Sequence, residues 1–108
     1  MTLAISPEAY QIRQNILRRV YDYKVQLIAA YQSKSPERIY TAKQGLIRYL
    51  YKLYTSPELG PPPDFIWPVA LRVIITFNID PNLHTSILSL RSYKQVAAEL
   101  EKSLERNI

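Results

Sequence analysis

Residues 27–42, LIAAYQSKSPERIYTA, contain the turn that decides how this chain folds. The tripeptide Ser-Pro-Glu at 35–37 is typical of a helix start, because the serine oxygen accepts a bond from a first-turn N–H and proline is tolerated at the first helical position. Glutamate there also suits the positive end of the helix dipole. The preceding helix reaches Gln32, so the link is residues 33–35, and such a short link favours two antiparallel helices.

Apolar residues recur at helical spacing on both sides of this turn. They predict a first helix over residues 7–32 and a second over residues 36–54, which together form an N-terminal αα-hairpin. The core stripe of the first helix consists of Ile12, Ile16, Val20, Tyr23, Leu27 and Ala30, widened by Leu17, Tyr21 and Ile28. The core stripe of the second helix consists of Ile39, Ala42, Leu46, Tyr49, Leu50 and Leu53.

Prolines mark further boundaries along the chain. Ser-Pro-Glu occurs again at 6–8 and 56–58, and Asp80-Pro81 follows the same helix-start logic. The run Gly-Pro-Pro-Pro at 60–63 cannot continue a helix, so it predicts a proline-rich connector over residues 56–64.

The third element is ambiguous from its composition. Residues 69–79 are rich in β-branched and aromatic side chains, which would suit a strand. A single strand has no other strand in the chain to pair with, so we predict a buried third helix over residues 65–78. A swapped or intermolecular strand is the alternative.

The C-terminal segment carries two apolar stripes that are rotated about a quarter turn from each other. A sequence that fits a capping box, Ser-Tyr-Lys-Gln, stands at 92–95, where the stripe changes. We therefore predict a fourth helix over residues 81–91 and an amphipathic fifth helix over residues 93–106, with one continuous helix as the alternative. The predicted fold is all-α, a small bundle of four to five helices in one domain spanning 1–108.

Composition weighs against enzymatic chemistry. The 108 residues include no cysteine, two glycines and a single histidine, His84. Disulfides, thiolate sites, two-histidine metal sites and glycine-rich nucleotide loops are therefore excluded. The sequence predicts a non-enzyme with no catalytic, cofactor-binding or metal-ligating residue. Residues 1–5 lack a basic region, and the most apolar window, 65–79, is shorter than the ~20 residues of a spanning helix, so we expect a cytoplasmic protein without a transmembrane segment.

Positive charge is concentrated in the first half of the chain. Residues 1–55 have nine basic and three acidic side chains, whereas residues 56–108 have five basic and six acidic ones, for a net charge of +5. A basic hairpin can attract nucleic acid, an anionic membrane surface or an acidic protein, or can simply keep the protein dissolved. Because basic residues interleaved with aromatics can bind nucleic acid, the candidate residues for that role are Arg18, Arg19, Arg48 and Lys52.

Aromatic residues indicate a protein partner. Eight of the nine tyrosines precede residue 55, and the single tryptophan follows the proline run. Tyrosine and tryptophan suit interfaces, although Trp67 is also a candidate for filling the core. The predicted partner-binding residues are Tyr40, Tyr51, Tyr54, Phe65 and Trp67. The predicted function is a self-associating protein–protein interaction module, an adaptor, assembly or regulatory factor, with nucleic-acid binding as the alternative.

Overall fold

The computed structural model describes residues 7–56, 66–83 and 93–106. Its helices are α1 (Pro7–Ser33), α2 (Pro36–Thr55), α3 (Ile66–Thr76) and α4 (Tyr93–Glu105), and no residue in the described ranges is in a strand. Helix α2 is central, since it packs against both α1 and α4, whereas α1 also contacts α3. The predicted all-α bundle is confirmed.

Some predicted elements lie partly or wholly outside the described residues. Residues 81–83 are helical, but the rest of the predicted fourth helix, 84–91, falls outside the described ranges, as does the break predicted near residue 92. The proline-rich connector is described only at Ser56, whose N–H donates to the Lys52 carbonyl at 2.9 Å and caps the end of α2. Among the helices of the described ranges, none combines the length and apolar character needed to cross a lipid bilayer.

The turn of the αα-hairpin forms as its sequence predicts. Lys34 adopts a left-handed backbone conformation with φ of 57°, which ends α1. Ser35 then caps α2, with its side-chain oxygen accepting a hydrogen bond from the Arg38 N–H at 3.4 Å. Since only Lys34 and Ser35 separate the two helices, α1 and α2 pack directly against each other.

Gly45 permits a close approach between the two helices of the hairpin. A Cβ atom at this position would lie 3.1 Å from Cε1 of Tyr23, closer than carbon atoms normally pack. The Tyr23 ring also packs on Tyr49, with centroids 5.5 Å apart. The sequence around Gly45 does not indicate this contact, because the contact is with Tyr23, which lies 22 positions earlier in the chain.

The core lies around α2 and receives apolar side chains from every described helix. Side chains such as Leu27 of α1, Ile74 of α3 and Leu100 of α4 have no exposed surface. Burying a side chain of this kind contributes about 1.5–3 kcal/mol to folding. The fully buried apolar residues of α2 are Leu46, Ile47 and Leu50.

Helix α3 forms despite its β-branched composition, so the strand alternative is wrong. Ile66, Ala70 and Ile74 have spacings of four residues and are fully buried, so the core selects a helix over the intrinsic strand preference. Pro68 is tolerated because the first-turn N–H groups of a helix have no intrahelical acceptor. The helix begins at Ile66 and ends at Thr76, one and two residues inside the predicted 65–78.

A left-handed residue terminates α3. Asn78 has φ of 47°, and its N–H donates to the Ile75 carbonyl at 3.1 Å. The N–H of Ile79 donates to the carbonyl of Ile74 at 3.0 Å, which completes a Schellman motif. Ile74 and Ile79, which this second bond joins, are both buried, and the chain continues from Ile79 into the buried Asp80.

Asp80 is the buried charged residue that joins this turn to α4. Its Oδ2 accepts hydrogen bonds from Ser103 Oγ at 2.8 Å and from Arg106 Nε and Nη2 at 3.0 and 2.6 Å. Its Oδ1 accepts from the Asn82 N–H at 3.0 Å, which confirms the helix start predicted at this position. Burial raises the pKa of Asp80, but the Arg106, Ser103 and Asn82 bonds and the Arg106 charge outweigh it and lower the pKa overall.

Candidate docking groove

A groove runs between α1 and α3 and has a volume of about 500 Å³. The two helices are joined at one end, where the Tyr31 hydroxyl donates to the Phe77 carbonyl at 2.9 Å and the two rings stack 6.0 Å apart. The lining side chains are Gln14, Leu17, Arg18, Val20, Tyr21 and Lys24 of α1 together with Val69, Arg72, Val73, Thr76 and Phe77 in and just after α3.

The groove has an apolar floor and apolar edges. Val20 and Val73 are buried and Leu17 is half-buried, so they form the floor. Tyr21 and Val69 line the groove on opposite walls while keeping 62% and 38% of their surface exposed. Exposed apolar surface in a concave site is characteristic of binding grooves.

The electrostatics of the groove are uniformly positive. Arg18, Lys24 and Arg72 line it and are exposed, and none of the lining residues is acidic. Arg18, Lys24 and Arg72 form no ion pair with a carboxylate of residues 7–56, 66–83 or 93–106. The groove therefore presents an apolar surface bordered by three cations that are not paired within the described part of the chain.

The sequence assigned part of this surface to the core, and that assignment is wrong. Tyr21 and Ile28 were expected to widen the core face, and Ile12 to belong to it, but they are 62%, 40% and 46% exposed. Ile12 lies before the stretch of α1 that faces α3, which runs from the groove lining at Gln14 to the Tyr31–Phe77 contact. Tyr21 lies within that stretch and is exposed because it lines the groove that the two helices leave open. Since α2 packs on another face, α3 covers only part of this side of α1.

The predicted partner-binding residues do not form one surface. Tyr54 is 8% exposed and packs edge-on against the half-buried Trp67, with ring centroids 5.8 Å apart. Tyr51 is half-buried against the core, whereas Tyr40 is exposed on α2. Phe65 lies outside the described residues. Trp67 therefore belongs to the edge of the core, where its buried Nε1 has no acceptor among the described residues.

The predicted nucleic-acid-binding residues also occupy different places. Arg18 lines the α1–α3 groove, whereas the Arg19 guanidinium lies 5.7 Å from the centre of the Tyr49 ring, at the α1–α2 contact. Arg48 and Lys52 are exposed one turn apart on α2. Burial raises the pKa of Tyr49, opposed by the Arg19 charge, so its ring is engaged within the hairpin.

Sequence analysis did not identify the groove, although a signal for it exists. Tyr10, Leu17, Tyr21 and Ile28 have spacings of seven, four and seven residues, which place them on one side of α1, away from Val20 and Leu27. A helix with two apolar stripes needs two neighbours, and the second stripe marks the groove side.

No three His, Cys, Asp or Glu side chains in the described ranges are arranged to hold a metal ion.

No protein-family model, curated protein sequence or solved structure matches this chain.

Proposed function

We propose that this chain is a non-enzymatic protein–protein interaction module, an adaptor, assembly or regulatory factor of the cytoplasm, that binds a partner segment in the α1–α3 groove. The observation that carries the proposal is the exposed apolar ring of Tyr21 beside an apolar floor. Tyrosine is enriched in protein interfaces, where its ring is buried and its hydroxyl remains hydrogen-bonded.

The extent of the apolar surface favours a macromolecular partner over a small ligand. Val25 and Ile28 follow Tyr21 at spacings of four and three residues, so they continue the same side of α1 beyond the groove. Both are at least 40% exposed. Together with Tyr21 they form a ridge, defined as Tyr21, Val25 and Ile28. A small molecule would fill the groove but leave Val25 and Ile28 in water, whereas a protein segment can cover both the groove and the ridge.

Replacing Tyr21 with a photo-crosslinking phenylalanine analogue is expected to capture a discrete protein in native cell extract. The matched control places the same analogue at Tyr40, which is 43% exposed on α2 and does not line the groove. With the captured protein purified, calorimetry should show that Tyr21→Ser weakens binding by about tenfold, since interface aromatics often contribute 1–2 kcal/mol or more. Tyr40→Ser should change it by less than about twofold.

Equal crosslinking from positions 40 and 21, or equal affinities of the two serine variants, would contradict the proposal. Tyr40 and Tyr21 are 43% and 62% exposed, so neither substitution truncates a buried side chain. Unchanged circular dichroism and urea unfolding should confirm that both variants are folded.

Self-association through the ridge is the second part of the proposal. Two copies that pair along Tyr21, Val25 and Ile28 would bury apolar surface but would also bring the Arg18 and Lys24 charges of both copies together. We therefore expect a weak dimer at high micromolar concentration that strengthens as salt screens this repulsion. Sedimentation velocity at about 0.05 and 0.5 M NaCl measures it. A monomer under both conditions would rule out self-association.

The nucleic-acid alternative stays a prediction. Arg48 and Lys52 are exposed and available for phosphate contacts. Two aromatic residues, Tyr49 and Tyr51, lie between them in sequence. Tyr49 is half-buried against Tyr23 and Arg19, and Tyr51 is half-buried against the core, so base stacking on these rings is not supported. The groove has the stronger support because its apolar and charged groups share one concave surface.

A further inference from the structure

We infer that the occupant of the α1–α3 groove is an acidic amphipathic helix of a partner protein. This inference rests on the proposed function and adds the chemical nature of the partner segment. It is carried by the charges of Arg18, Lys24 and Arg72, which border the apolar floor with no acidic side chain among the lining residues.

Charge complementarity selects an acidic partner. Arg18 and Lys24 stand on one wall and Arg72 on the other, and all three are exposed. A segment lying between these walls has cations on both sides, so carboxylates along its two edges would each find a positive neighbour. Positively charged side chains placed there would be repelled. Arg18, Lys24 and Arg72 therefore influence both the specificity of binding and the association rate.

The walls of the groove select a helical partner. Both walls are α-helices whose backbone groups are hydrogen-bonded within the helix, so they offer no edge to which an extended peptide could pair. The lining positions on α1 run from residue 14 to 24, which corresponds to about 15 Å or three helical turns. A helix of that length presents apolar side chains at i, i+3, i+4 and i+7 to the floor and satisfies its own backbone.

A second copy of this chain fits the groove poorly. Helix α4 carries most of the acidic residues of the described C-terminal part, but its apolar residues Val96 and Leu100 are buried in the core. Its outer face is polar, with Lys94, Glu101 and Glu105 exposed. That face lacks the apolar stripe that the floor requires, so a partner protein is the better occupant.

Three fluorescent peptides of about 18 residues test this inference. The first has leucines at i, i+3, i+4 and i+7 spacing and glutamates elsewhere, the second replaces the glutamates with lysines, and the third scrambles the first. Anisotropy titrations should show that the acidic amphipathic peptide binds at least about tenfold tighter than the other two. Its affinity should fall as the salt concentration rises, because screening weakens exposed charge pairs.

Two charge reversals locate the binding site. Arg72→Glu should weaken binding of the acidic peptide by about tenfold, whereas Arg48→Glu should change it by less than about threefold. The two variants have the same net charge, so the long-range attraction between protein and peptide is equal in both. Both sites are exposed, so neither substitution truncates a buried side chain. Arg18→Glu, on the opposite wall from Arg72, should behave like Arg72→Glu.

Equal weakening by Arg72→Glu and Arg48→Glu would overturn the inference, because binding would then depend on net charge alone. Equal affinity for the lysine peptide or the scrambled peptide would also overturn it. A labelled oligonucleotide that binds more tightly than the acidic peptide and is lost with Arg48→Glu would favour the nucleic-acid alternative instead. If Tyr21 crosslinks a partner while the peptide tests fail, the proposed function stands and only the acidic helix is wrong.

Discussion

Replacing Asp80 with alanine is expected to lower the free energy of unfolding by about 3 kcal/mol. The carboxylate is 1% exposed and accepts bonds from Arg106, Ser103 and the Asn82 N–H. Its loss leaves the buried Ser103 hydroxyl without this acceptor and removes the carboxylate that caps the turn at Asn82. This decrease in the free energy of unfolding lies at the lower end of the range for breaking a buried ion pair, because the Arg106 side chain is 31% exposed and can be hydrated.

Lys102→Ala is the control for this prediction. Lys102 pairs with Glu99 on the same helix at 3.3 Å, but its side chain is 62% exposed. Exposed pairs contribute little, so this substitution should cost less than about 0.5 kcal/mol. Urea unfolding followed by circular dichroism measures both values. A similar decrease in unfolding free energy for the Asp80 and Lys102 variants would show that burial does not make the Asp80 contacts more stabilising than an exposed ion pair.

The Asp80 contribution should also depend on pH. Its pKa is lowered in the folded state, so its stabilisation is fully present above the unfolded value of about 3.9 and is lost as the pH falls through the folded value. Asp80→Asn keeps the size of the side chain but removes the titrating group. The difference in unfolding free energy between wild type and this variant should therefore be constant above about pH 5 and shrink below about pH 4. A difference that does not change with pH would contradict the role of the charge.

Leu50→Ala is expected to destabilise the protein by about 3 kcal/mol. Leu50 has no exposed surface, and α2, on which it lies, packs against both α1 and α4. Truncating it removes apolar contacts and leaves a cavity that close-packed neighbours cannot fully fill. A single domain is stable by about 5–15 kcal/mol, so this loss is a large part of the total.

Val25→Ala is the control for Leu50→Ala. Val25 is also apolar and in the middle of a helix, but it is 46% exposed on the ridge. Its truncation should change the unfolding free energy by less than about 0.5 kcal/mol. The comparison uses the midpoint and slope of urea unfolding. A loss at Leu50 no larger than that at Val25 would contradict the central position of α2 in the core.

Local features of the fold were predictable because they depend on neighbours in sequence. Ser35 caps α2, and Asp80 caps the turn that follows it, since both contacts involve residues two or three positions away. The hairpin follows from the two-residue link between α1 and α2. The helical state of α3 was harder to predict, because its β-branched residues favour a strand locally and the core overrides that preference.

The docking groove was only partly predictable. The sequence indicates Arg18 as a contact for nucleic acid, and no pattern in it distinguishes Lys24 or Arg72 from other basic residues. Tyr21 was assigned to the core because helical spacing places it close to the core stripe. Spacing describes which side chains share a side of a helix, and it contains no information on how far a neighbouring helix extends along that side.

The positions of the helices and of their caps follow from local sequence, because hydrogen bonding to nearby residues and a 3.6-residue apolar period act within a few turns. Which apolar side chains are covered depends on tertiary packing. It leaves Tyr21 beside an open groove, since α1 and α3 do not close on each other where residues 14–24 line that groove. It also gave Asp80 its partners at Ser103 and Arg106, 23 and 26 residues away, a pairing that exists only once α4 has packed on α2.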